Sequence, residues 1–178
     1  MTGWRFLFLA PAVLFAAIAA LLPGAPARAQ EAVALAFEGW DRSESADGVV
    51  TFRCNDPRCP PRSKVSYKRQ PHRPTVSLAQ FEAHHSRLSR EAPANSSGHI
   101  TAARITGFSE RTVEGVRVLS GNREVAWTSG GATAAVDALL IGPTASFSVV
   151  SDAADPKTAA AVFAHFLPRL IDLVLVTR

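Results

Sequence analysis

The second half of this 178-residue chain leaves few folds open. From Ile100 onward, short apolar and β-branched runs alternate with glycine-bearing turns. Residues 100–108, 115–120, 124–127, 134–141 and 145–150 read as strands. Gly121-Asn122, Ser129-Gly130-Gly131 and Gly142-Pro143 read as the turns between them. Connections this short join antiparallel neighbours, because a parallel pair needs a crossover of about a dozen residues. Asp155-Pro156 then supplies an N-cap and a first-turn proline. Behind it Val162, Phe163, Phe166, Leu167, Leu170, Ile171 and Val174 recur at helical spacing, a wide apolar stripe that must be covered. Pro168, inside that stripe, is expected to kink or divide the helix.

The first half carries fewer elements. Asp47-Gly48 marks a turn, and residues 49–54 and 64–68 read as strands joined through the loop that holds the two cysteines. Residues 30–36 read as a leader or a first short strand, and Phe37 and Trp40 stand at the start of the ordered part. Ser77 with Gln80 three residues on forms a capping-box pattern, and a helix is expected over 78–90, with Leu78, Phe81, His85 and Leu88 on one face. Residues 91–99, polar and holding a proline and a glycine, read as a loop. Together these elements predict an α+β fold. An antiparallel sheet meander carries a middle helix and a C-terminal amphipathic helix packed on one face, with the helices mainly on that side.

The strand 145–150 (ASFSVV), the break 151–156 (SDAADP) and the helix 157–170 (KTAAAVFAHFLPRL) resemble the closing part of Mog1/PsbP-like small α+β modules. The likeness covers about the last third of the chain. It implies an adaptor or assembly module rather than an enzyme, although fold alone does not fix function.

The N-terminus sets the compartment. Arg5, an uncharged apolar run from Phe6 to Leu22, the Pro23-Gly24 break and the Ala27-Arg28-Ala29 pattern together read as a secretory signal peptide over residues 1–29. There is no lipobox cysteine at the junction and no twin arginine, so export by the Sec route to the periplasm or the cell exterior is expected. Removing 29 of 178 residues leaves 149, read as a single α+β domain over 30–178. The leader holds two of the 19 basic side chains and no acid, so 17 remain against 15 acidic ones, a net charge of +2. That balance and the compartment argue against nucleic acid as a partner. No second apolar stretch reads as a membrane span, since the last one, residues 163–176, contains Arg169 and Asp172.

Five groups of residues carry candidate chemistry. Cys54 and Cys59, the chain's two cysteines, are expected to form a disulfide in an oxidising compartment. Their C-x4-C spacing is not that of a C-x-x-C redox motif. Between residues 53 and 73 lie Arg53, Arg58, Arg62, Lys64, Lys68, Arg69 and Arg73, with Asp56 alone opposing them. Arg58, Arg62, Lys64, Lys68, Arg69 and Arg73 form the expected binding set. Lys64 and Lys68 share one strand face, a ridge suited to phospholipid headgroups, an anionic glycan or an acidic partner protein. The plainer alternative is an edge strand kept soluble by lysines. His72, His84, His85 and His99 support a rival reading, a small periplasmic metalloprotein or hydrolase. Adjacent histidines on a helix point about 100° apart, so His84 and His85 do not chelate one ion together. No metal site and no cofactor are expected. G-x-S-x-G and H-E-x-x-H are absent, and the carboxylates show no catalytic pairing. Asp137, inside an apolar strand, stands out as either a polar-face residue or a buried acid with a raised pKa. Trp40, Tyr67 and Trp127 read as core residues or as the wall of a pocket. The expectation is an exported, non-catalytic binding module.

Overall fold

A computed structural model describes residues 35–60 and 62–177; the leader expected over 1–29 lies outside them. The described elements run β1 (Trp40–Glu44), β2 (Val49–Cys54), β3 (Lys64–Gln70), α1 (Leu78–Asn95), β4 (Ile100–Val113), β5 (Val116–Trp127), β6 (Ala132–Ile141), β7 (Ser146–Ala153) and α2 (Pro156–Val176). The strands form one seven-stranded sheet in the order β1-β2-β3-β7-β6-β5-β4, every neighbouring pair antiparallel. Two meanders meet at its centre. The chain leaves β3, passes through α1 to the far edge, and returns strand by strand until β7 closes against β3. The protein is α+β, as its element pattern predicts.

The period of two along each strand sorts the sheet into two faces. On one face Phe52, Val65, Val118, Leu140 and Val149 meet Val162, Phe163, Phe166, Leu170, Ile171 and Val174 of α2 in one buried cluster. Phe166 is its aromatic centre. Phe37 stacks on it with ring centroids 3.8 Å apart, and Trp40 meets it edge-on at 4.8 Å. That contact anchors β1, whose other residues are exposed and charged or polar, and which sequence pattern did not reveal. The helices, expected mainly on one face, divide instead. Phe81 of α1 packs with Leu119 and Ile141 in a second cluster, and both of these point away from α2. Helical periodicity identifies an apolar face but not the side of the sheet it meets.

Three further expectations are corrected. β5 runs unbroken through Gly121-Asn122, the supposed turn. A Cβ at Gly121 would lie 2.9 Å from Phe108 Cδ1, so the glycine makes room for a ring across the strand rather than for a turn. β4 accordingly shifts register between Thr106 and Ser109, where Phe108 stands. α1 extends past residue 90 to Asn95, through Pro93. α2 is not divided at Pro168, which lies with Arg169 on the exposed side while Leu167 and Leu170 are buried. By length and composition alone α2 also passes as a membrane span, with 21 residues and an 18-residue window of mean hydropathy 1.8. Its apolar stripe is the lid of the sheet's core.

The caps follow local chemistry. Ser77 Oγ accepts from Gln80 N–H while Gln80 Oε1 accepts from Ser77 N–H, the full capping box. Asp155 accepts from Thr158 N–H at 2.9 Å ahead of Pro156.

Candidate functional site

At one end of the sheet, the close of β2, the start of β3, the close of β7, the start of β6 and the close of β5 come together. Around a cavity of about 400 Å3 they set Arg53, Lys64, Asp152, Thr133 and Trp127, joined by Arg62 and Ser63 from the cysteine loop. Three cations and one carboxylate line it. The register explains the gathering: Arg53 stands opposite Lys64, and Lys64 opposite Asp152. Lys64 Nζ reaches Asp152 Oδ2 at 3.0 Å. The wall on the far side is an indole. Trp127 Nε1 donates to Thr133 Oγ1 at 3.0 Å, which fixes the ring and uses its N–H inside the protein.

The loop that delivers Arg62 is tied on both sides. Cys54 and Cys59 lie at disulfide-bonding distance, their Cα atoms 6.2 Å apart, and Cys54 itself lines the cavity. Cys59 N–H donates to Asp56 O at 2.9 Å, and Ser63 Oγ donates to Pro60 O at 2.8 Å. Arg62 sits at φ 64°, in the left-handed region. That conformation costs a non-glycine residue about 1–2 kcal/mol, so the loop holds the Arg62 backbone against its preference.

The expected basic set does not stay together. Arg62 and Lys64 line the cavity, joined by Arg53. Lys68 lies at the other end of β3 and pairs with Asp47 of the β1–β2 turn at 3.0 Å. Arg69 stands opposite Phe147, on the other face of β3 from Lys68. Arg73 follows β3, and its backbone N–H donates to Ser146 Oγ at 3.2 Å. Arg58 folds back on its own loop and grips Asp56 through Nε and Nη2. Its hydrogen bonds hold the Asp56 carboxyl below the ordinary range. Both ridge lysines therefore carry an aspartate partner, and the excess of positive charge gathers at the cavity. Ser66 lies between Lys64 and Lys68 with its hydroxyl 3.1 Å from Thr51 Oγ1, on a sheet face that α2 does not cover.

The histidines separate too. His72 Nδ1 lies 3.3 Å from Ser146 Oγ, and His99 follows the end of α1. His84 is exposed, whereas His85 is half-buried against Phe81, ring centroids 4.2 Å apart. Burial first, then His84 and Arg123, push the His85 pKa down to about 4. Its ring lies 4.0 Å from Asp137 Oδ2, and at neutral pH the imidazole in that contact is neutral. Among the described residues no three His, Cys, Asp or Glu side chains gather to hold one metal ion.

Asp152, Thr133 and Trp127 were not in the expected basic set, because strand pairing brings them in from far along the chain. The one signal for them in the sequence was a tryptophan beside a glycine-rich turn. Compared with known proteins, the chain matches no protein-family model and no curated sequence.

Proposed function

We propose that this protein is an exported, non-catalytic binding module that holds an anionic group of an envelope component or partner protein in the cavity beside its disulfide loop. One observation carries the reading: Arg53, Arg62 and Lys64 converge on one cavity against the single carboxylate of Asp152. Cations gathered in a concave site focus their field on an incoming anion. Arginine forks also bind carboxylate or phosphate oxygens in pairs. The loop's hold on Arg62 supports the same reading, since strained backbone tends to be kept where a side chain must point at a ligand. An adaptor or assembly role agrees with what the Mog1/PsbP-like resemblance implies.

The test is in-cell crosslinking followed by recovery of the protein and its bound material from the envelope, beside an Arg53→Glu/Arg62→Glu variant. The expected result is one dominant bound component with the natural chain, lost in the variant while the melting temperature holds. Retention unchanged by the charge reversal overturns the proposal.

A further inference from the structure

We infer that the anion this cavity accepts is an acidic sugar, a uronate-type unit of an anionic glycan, with its carboxylate on the cations and its ring on Trp127. The inference rests on the anion-binding reading above and deepens it. A cavity of about 400 Å3 is larger than one inorganic ion fills, and falls in the range of small-molecule sites. Its lining is mixed, with cations on one side and an indole on the other. Because the Trp127 N–H is already given to Thr133, the indole offers the ligand apolar surface rather than a donor. A pyranose ring has an apolar C–H face to lay against such a surface. Inorganic phosphate has none.

The remaining polar groups fit the same ligand. Arg53 and Arg62 present planar donor forks to a carboxylate. Asp152, held by Lys64, is an acceptor within the cavity wall, suited to the hydroxyl donors of a sugar. An acidic peptide such as poly-aspartate, with no hydroxyl-bearing ring to lay on the indole, matches this mixture less well. A lipid headgroup would bring acyl chains that need apolar surface nearby. Among the described residues the exposed large hydrophobics are Leu88, Leu175 and Val176, and none of them lines the cavity.

The purified protein is titrated in a calorimeter with trigalacturonate, with maltotriose as a neutral sugar of equal length, with hexa-aspartate, and with inorganic phosphate. Trigalacturonate is expected to bind at least about tenfold more tightly than each of the other three, the equivalent of 1.4 kcal/mol. Trp127→Leu is expected to weaken that binding by about tenfold, within the range of a buried aromatic contact. Trp127→Phe, which keeps an aromatic wall, is expected to restore most of it. Circular dichroism melts confirm that each variant folds. Hexa-aspartate or phosphate binding as tightly as trigalacturonate, lost on Arg53→Glu/Arg62→Glu but indifferent to Trp127→Leu, overturns the sugar and leaves the anion-binding reading standing. Binding of no anion, or binding that neither the charge reversal nor Trp127→Leu alters, overturns both.

Discussion

Arg123 holds Asp137 through two hydrogen bonds across neighbouring strands, Nε to Oδ2 at 2.8 Å and Nη2 to Oδ1 at 3.1 Å. The Asp137 side chain is nearly lost to solvent at 6% exposed, while the Arg123 side chain keeps 30%. Burial pushes the Asp137 carboxyl pKa up, and Arg123 pulls against that shift. The arginine is thus the group that favours the ionised form of an acid standing in an apolar strand. The pair sits under α1, where His85 completes the contact.

Removing one partner of such a pair should cost more than removing both. Arg123→Ala leaves a buried carboxylate without its cation, and a loss of about 3 kcal/mol is expected. Arg123→Ala/Asp137→Ala should recover a substantial part of it, because no charge then remains to be desolvated. Urea unfolding of the natural chain, both single variants and the double variant closes the cycle. Losses that simply add would show that the two residues are not coupled.

His85 makes stability fall as the solution is acidified. In the unfolded chain its imidazole takes a proton near the ordinary 6.5, in the folded chain only near 4. Between those values the unfolded state holds more protons, so its share grows as pH falls through that window. The groups facing His85 are His84 on its own helix, Arg123 of β5 and Asp137 of β6. Asp137 works in the opposite sense: its folded pKa lies above 3.8, so the folded state takes that proton first on acidification. His85→Leu removes the histidine contribution and keeps the aspartate one. The variant's melting temperature should therefore drop less than the natural chain's between neutral pH and pH 4. Parallel curves would place the histidine outside the linkage.

What the sequence disclosed was local. The capping box at Ser77 and Gln80, the Asp155-Pro156 helix start and the paired strands β2 and β3 depend on residues close in the chain, and each stands where pattern put it. β1 was hidden because only Trp40 among its five residues turns inward, which leaves no alternation to detect. Gly121-Asn122 misled because the need for glycine arises from Phe108 on another strand. The cavity was half legible. Arg62 and Lys64 lie in a cationic run, while Asp152 reaches Lys64 only through the β3–β7 register. Asp47 likewise meets Lys68 only once the β1–β2 turn folds beside the end of β3.

Gly121 should tolerate no side chain while Phe108 stays in place. A Cβ there meets Phe108 Cδ1 and Cε1 at 2.9 Å and Ile105 Cδ1 at 3.0 Å. Gly121→Ala is expected to cost about 1–3 kcal/mol, the range for overpacking. Phe108→Ala alone should also destabilise, since the ring meets Phe81 edge-on with centroids 6.1 Å apart. In the double variant the alanine at 121 has room, so its additional cost should fall well below its cost alone. Thermal unfolding of the four proteins decides. An undiminished cost in the Phe108→Ala background would move the clash elsewhere.

The disulfide should matter more to binding than to folding. It closes a short loop, and the chain-entropy model gives about 2 kcal/mol for so small a ring. The sheet itself does not depend on it: β2 and β3 keep their ladder, and Asn55 N–H still donates to Gly39 O at 3.0 Å. What the bridge fixes is the path from Cys54, which lines the cavity, through Cys59 to Arg62 in its unfavourable backbone conformation. Without it the loop can relax and carry the Arg62 guanidinium off the rim. Cys54→Ser/Cys59→Ser should therefore unfold at only modestly lower urea, with an unchanged dependence on denaturant. It should bind trigalacturonate about as weakly as Arg62→Glu does. Affinity equal to the natural chain's would show that backbone hydrogen bonds alone position the arginine and that the bridge serves stability.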